Sequence, residues 1–226
     1  QSQTLRQGIE CDTLVCRLPY NAQVMPYMEV DAPSGRLITI LTDHYQGGSA
    51  YNVRAEYITK SGVQQYENKG WMNVYYIYPK DVKISKVQFR ETGYDTEFEG
   101  YFHCNDTFLN KMWDKSQRTL YVTMRDTYMD CPDRERAQWW GDEVNESGEA
   151  FYALSVSSHL LMKKGMYELI GWQRPTGEIY APIPSSNYHT ELPGQMLASI
   201  GYFGFWNYYL NTGDLQTIKD LYPGVK

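Results

Sequence analysis

The alternation of apolar and polar positions along this chain changes period once, near residue 104. Up to that point period two dominates. The runs 36–44 (RLITILTDH), 51–59 (YNVRAEYIT), 73–79 (NVYYIYP), 82–91 (VKISKVQFRE) and 96–103 (TEFEGYFH) are rich in β-branched and aromatic residues. Turn-forming SG, NKG, PKD and TGYD stand between them. Short strands at such regular spacing predict an antiparallel β-sandwich. Residues 1–35 are less regular and read as edge strands or loop.

Beyond Cys104 the period lengthens to that of a helix. Asn105 or Asp106 caps a predicted helix whose apolar face would hold Phe108, Leu109, Met112, Trp113, Leu120 and Met124. A second helix is predicted from near Asp142 through VNESGEAFYALSVSSHLLMKKG, and a third over MYELIGWQ. A fourth covers LPGQMLASIGYFGFWNYYLNTGD, stopped by Gly213, and a fresh one starts at Thr212–Asp214. The Pro-rich stretch 176–193 has no periodicity, and a connection of that length suggests an ordered functional loop. The expected organisation is therefore a β domain, residues 1–104, followed by a helical domain, residues 105–226.

Charge narrows the partners. The 226 residues carry 21 basic and 27 acidic side chains, a formal charge of -6. That balance argues against binding to nucleic acid or to an anionic membrane, both of which need basic surface. No run reaches the 18 or more apolar residues of a membrane span. Cys11, Cys16, Cys104 and Cys131 lack the paired spacing of a zinc site, so no metal is expected. A Cys11–Cys16 bridge and four free thiols both fit the spacing, and the redox compartment stays open. The chain begins at Gln1 without a signal peptide and stops soon after a new helix starts, which reads as an excerpt of something longer.

Twenty-one tyrosines and six tryptophans exceed what a core of this size needs. Flat rings with a hydrogen-bonding tip suit the stacking of sugar rings, although most of these tyrosines read simply as strand residues. The stretch 130–143, DCPDRERAQWWGDE, sharpens the point: seven of its fourteen residues are charged, yet it contains Trp139 and Trp140. Asp130, Glu135 and Asp142 are five and seven residues apart, a spacing for a folded-back loop rather than one helical face. Arg134 and Arg136 flank Glu135 and would lower its pKa, whereas burial against a tryptophan would raise it. A salt-bridged surface loop is the plain reading. Tryptophan beside carboxylates favours a carbohydrate site, where indole takes a pyranose face and carboxylates take its hydroxyls.

Other polar positions read more plainly. His189 is an exposed loop histidine or a ligand contact, and Glu191 a first-turn helix acid. Glu143, Glu146 and Glu149 read as a polar helix face, His44 and His103 as structural strand residues, and GYFGFW (201–206) as close helix packing. Phosphate-cradling, dinucleotide, zinc-protease and nucleophile-elbow motifs are absent from the sequence, and no cofactor is expected.

The stretch TLYVTMRDTYMDCPDRERAQWWGD (119–142) resembles the α-L-rhamnosidases of glycoside hydrolase family 78. RETGYDTEFEGYFHCNDTFLNKMWDKSQRTLYVTMRD looks like that family's junction between β-sandwich and barrel, and ELPGQMLASIGYFGFWNYYLNTGD like a following barrel helix. The resemblance covers about residues 36–226. It implies β-sandwich domains ahead of an (α/α)6 catalytic barrel, of which only the first helices lie here, and hydrolysis with inversion. It also implies Glu135 as general acid, Asp130 and Asp142 holding sugar hydroxyls, and Arg134, Trp139 and Trp140 shaping the pocket. D-R-E and Q-W-W-G-D replace the family's usual R-D-E and G-W-T-G-D, which places the chain in a divergent branch. The family's catalytic base is a glutamate expected past Lys226. The substrate implied is a rhamnoside. Two other readings remain: a carbohydrate-binding fragment without activity of its own, or an (α/α)-barrel hydrolase for another sugar, such as a uronic acid met by Arg125, Arg134 and Arg136.

Overall fold

The computed structural model describes residues 5–6, 10–11, 16–42, 55–80, 84–133, 135–183 and 199–226. They divide into two units, residues 1–93 with 132–134 and residues 94–131 with 135–226. Among the described residues the first unit is an eight-stranded antiparallel sheet. Its strands are β1 Leu5–Arg6, β2 Glu10–Cys11, β3 Cys16–Ala32, β4 Leu37–Thr42, β5 Ala55–Ile58, β6 Gly62–Glu67, β7 Met72–Lys80 and β8 Ile84–Thr92.

The spine of this sheet is β3, part of the segment expected to be edge strand or loop. One edge of β3 pairs with β8, and the other pairs first with β7 and then, from Tyr27 on, with β6. Its alternation is regular from Val24 to Ala32, with Val24, Pro26, Met28, Val30 and Ala32 buried. Pro26 interrupts the sequence pattern without interrupting the strand. It falls where the partner changes from β7 to β6, so the ladder needs no donor from it there. Its carbonyl accepts the Asn68 amide on that side at 2.9 Å. Cys16 is disulfide-bonded and stands opposite Cys11 in the ladder, whereas Cys104 and Cys131 are free. Leu18, Val24, Ile38, Ile40, Val87 and Phe89 head the core of this unit.

The predicted strand 96–103 forms no ladder. The segment is extended, but its backbone bonds to a break between helices: Gly100 N–H donates to Ala153 O at 3.0 Å and Ser155 N–H to Glu97 O at 2.9 Å. His103 is accordingly an exposed residue stacked on Tyr101, not a strand residue.

The helical unit contains α1 Thr107–Val122, α2 Trp140–Ala153, α3 Ser158–Gly171, a π-helical turn Gly201–Trp206, α4 Asn207–Thr212 and α5 Leu215–Val225. Asp106 caps α1, accepting from the Phe108 amide at 2.8 Å. Only the C-terminal half of the expected apolar face is covered. Leu120 and Met124 are buried, but Phe108 is 70% exposed and Met112 50%. The single helix expected from Asp142 to Gly165 is two. Leu154–Ser157 breaks it, because the Ser155 and Ser157 hydroxyls bond to Thr96 and to the Asp95 carbonyl instead of continuing a helix. MYELIGWQ is the end of α3 and the two residues after it, rather than a helix of its own. Gly213, at φ +70°, ends α4 as expected, and Asp214 caps α5 through the Thr217 amide. The core gathers Leu120, Met124, Tyr128, Trp140, Leu161, Met166 and Phe205 among others.

Candidate active site

The chain leaves α1 through a Met124–Tyr128 bridge and reaches the charged stretch with Met129 N–H bonded to Thr123 O at 2.9 Å. The next eight residues, 130–137, close on themselves. Asp130 N–H donates to Ala137 O, and Ala137 N–H donates to Asp130 Oδ1, each at 3.0 Å. Within this clasp Arg136 takes φ +53°, a left-handed turn that a non-glycine residue rarely adopts. The turn brings Glu135 under Trp139, whose indole Nε1–H donates to Glu135 Oε2 at 2.7 Å. Cys131 Sγ accepts the Glu135 amide at 3.3 Å. Glu135 itself is exposed and Trp139 half-buried.

The two tryptophans then part. Trp139 is the residue before α2, and its ring edge faces the acid. Trp140 opens α2 with no exposed surface, its ring edge-on to Phe205 at 5.7 Å between centroids. Gly204 makes this packing possible, since a Cβ there would stand 3.0 Å from the indole and 2.1 Å from Ser199 O. A ring covered this completely offers no face to a sugar. Trp140 anchors the helix that carries Asp142.

Asp142 sits exposed in the first turn of α2, where the helix dipole favours an anion. Partial burial raises its pKa above the ordinary carboxylate value, and the charge of Asp130 adds to the rise. Asp130 and Asp142 are thus close enough to act on one another, as the spacing of the loop suggested. Arg134 and the loop residues His189 and Glu191 lie outside the described residues, as does His44. Among the described residues no group of three or more His, Cys, Asp and Glu is arranged to hold a metal ion.

The three glutamates read as a polar helix face are not one. Glu143 has no exposed surface, and neither of its carboxyl oxygens has a hydrogen-bond partner. It lies over Gly165 of α3, where a Cβ would come within 1.8 Å of Oε1. Burial pushes its pKa far up, reinforced by Glu146 and Glu168 and opposed by Lys164. Glu146 is raised to about 9, first by burial, with the hydrogen bond from Thr123 opposing and Asp142, Glu149 and Asp130 adding. Glu149 is exposed and its pKa is raised by partial burial. The correction has a simple cause: α2 packs against both α1 and α3, so its polar positions are turned toward neighbours. A signal was present in the sequence, since Asp142, Glu146 and Glu149 stand at i, i+4 and i+7.

Known proteins are similar to this chain. A curated alpha-L-rhamnosidase of Formosa agariphila is 27% identical over 141 residues, which is 58% of this chain and 15% of that protein. The rhamnosidase of family GH78 from Bacillus sp. GL1 superposes with a TM-score of 0.79 at 23% identity, covering 93% of this chain and 23% of the other. An alpha-L-rhamnosidase of Streptomyces avermitilis, solved with L-rhamnose, gives 0.78 at 19% identity, covering 100% and 24%. The chain thus spans 15% to 24% of the length of these relatives. These likenesses extend over the antiparallel sheet and the helices together. Residues 97–226, more than half of the chain, match the domain described as the bacterial alpha-L-rhamnosidase 6 hairpin glycosidase domain, and the protein belongs to that family.

Proposed function

We propose that this chain supplies one wall of the active site of an inverting glycoside hydrolase that releases terminal α-L-rhamnose from polysaccharides or glycosides. The observation that carries the reading is the bond from Trp139 Nε1 to Glu135 Oε2. An indole N–H only donates, so Oε2 is the accepting oxygen, and the proton of the acid form belongs on Oε1. A carboxylic acid oriented in this way, exposed at the end of a closed loop, is suited to protonate a glycosidic oxygen as its bond breaks. Asp130 and Asp142 accept hydroxyls of the departing sugar, Trp139 flanks the acid, and Arg134, its neighbour in sequence, helps to shape the pocket. Trp140 contributes by holding the start of α2. In an inverting enzyme a second carboxylate, about 6.5–9.5 Å from the acid, activates water. We assign that base to a part of the protein outside this chain, which spans 23% of the Bacillus relative. In the same reading the sheet unit folds as a β-sandwich, and the helices are the opening hairpins of an (α/α)6 barrel.

Glu135→Gln in the intact protein tests the assignment. The amide keeps the size of the side chain but has no proton to give. Turnover of an aryl α-L-rhamnoside with a poor leaving group is expected to fall about 10²–10⁴-fold, and that of an activated aryl rhamnoside much less. Near wild-type turnover of the poor substrate would remove Glu135 from the role.

A further inference from the structure

The loop that carries Glu135 lies at the surface. Among the described residues of 130–137 none is buried, whereas Met129 before it and Gln138 after it are. Gln138 is only 1% exposed although it carries a primary amide. Its main chain turns tightly: Trp139 N–H donates to Ala137 O at 3.0 Å, which makes a γ-turn with Gln138 at its centre. The same Ala137 O closes the clasp by accepting Asp130 N–H. The step through Gln138 therefore joins the clasp directly to Trp139, whose indole holds Glu135 Oε2.

Two contacts from outside the loop fix that step. Gln138 O accepts the Ile183 amide at 3.1 Å. Gln138 Oε1 accepts the hydroxyl of buried Thr127, which shares its proton with Tyr128 O at 2.9 Å. Thr127 is itself held in the turn after α1, where its carbonyl accepts the Arg125 amide at 3.0 Å beside the Met124–Tyr128 bridge. Gln138 Nε2 is buried and has no hydrogen-bond partner among the described residues. Losing the Thr127 hydroxyl would therefore leave the side-chain amide desolvated and unpaired, and Gln138 would have to move. A methionine would fill the same space, but the hydrogen-bonded amide adds direction.

We propose that Gln138 is a positioning residue for Glu135: tethered to Thr127 and Ile183, it fixes the turn from the clasp into Trp139 and so aims the indole N–H at the acid. The usual G-W-T-G-D motif has glycine at this position and no side chain to tether, so the device is this chain's own. The part of Glu135 as proton donor rests on the rhamnosidase reading, whereas the tether does not.

Two measurements on the intact protein separate the claims. Gln138→Met keeps the length of the side chain and removes the tether. Turnover of an aryl α-L-rhamnoside with a poor leaving group should fall about 10–100-fold, the cost of a slightly displaced catalytic group, and that of an activated aryl rhamnoside much less. The alkaline limb of kcat/KM should move to higher pH, because a misaimed indole no longer stabilises the Glu135 carboxylate. In a Trp139→Phe background Gln138→Met should add little, since the donor that it aims is gone. An unmoved limb, or losses that multiply in full when the two changes are combined, would overturn the proposal. Thr127→Val cuts the tether from its other end and should repeat these effects, while Thr127→Ser keeps the hydroxyl and should behave like the wild type. Wild-type kinetics in Thr127→Val would equally overturn it. The second measurement needs no turnover. With nitrogen-15-labelled tryptophan, the indole N–H resonance that Trp139→Phe removes should titrate with Glu135 in the wild type and lose most of that response in Gln138→Met. An equal response in both would overturn the tether, whatever the protein hydrolyses. A wild type that turns over no rhamnoside would defeat the functional reading alone, and the indole resonance would still decide the part of Gln138.

Discussion

In the proposed reading of Glu135 as general acid, Trp139 sets the working range of that acid. A donor to a carboxylate stabilises its charged form, so the indole N–H lowers the Glu135 pKa relative to the same site without it. Trp139→Phe keeps the ring and removes the donor. The pKa of Glu135 should then rise, and the alkaline limb of kcat/KM, where the general acid is lost, should move to higher pH. A limb that moves down, or stays, would mean that this bond does not govern the acid. The sequence put tryptophan next to these carboxylates but gave both rings one part to play. Which of two adjacent rings stays partly open depends on the direction of the first turn of α2, and that direction is set by Phe205 and Gly204, sixty-odd residues on.

Close approach between α2 and α3 is built on a missing Cβ. Glycine inside a helix ordinarily costs about 1 kcal/mol relative to alanine. At Gly165 the usual gain is reversed, because the new methyl would sit 1.8 Å from Glu143 Oε1 and Glu143, fully buried, has nowhere to swing. Gly165→Ala should destabilise the helical unit by about 1–3 kcal/mol. At Gly171, which has no atom within 4 Å of that position, the same change should be neutral or stabilising by up to about 1 kcal/mol. Urea midpoints of the two variants check the contrast, and matching midpoints would contradict it. Elements were legible wherever one period ran uninterrupted: β4, β8, the cap of α1 at Asp106 and the stop at Gly213. They were illegible where a distant partner decided. Residues 1–35 read as edge strand or loop because the change of partner along β3, at Pro26, is not written near it. TEFEGYFH has the alternation of a strand, but its backbone is taken by the break between α2 and α3.

At the scale of the whole molecule, buried acids tie stability to pH. Glu143 and Glu146 both have folded-state pKa values above the ordinary 4.5, so the folded chain holds protons that the unfolded chain would release. Their contribution is fully present below about pH 4.5 and drains away as pH rises toward the raised values, about 9 for Glu146. Urea midpoints should therefore decline from mildly acidic to alkaline pH, with a flatter decline in Glu143→Gln, and an equal slope in that variant would exclude Glu143 as a source. The clasp between Asp130 and Ala137 has a different kind of consequence. The aspartate proposed to take a sugar hydroxyl is also the latch of the loop that carries Glu135. Replacing Asp130 to test that role would loosen the loop around Glu135 in the same stroke. A redesign has to exchange residues 130–137 as one cassette, with its length conserved, rather than tune its members one at a time.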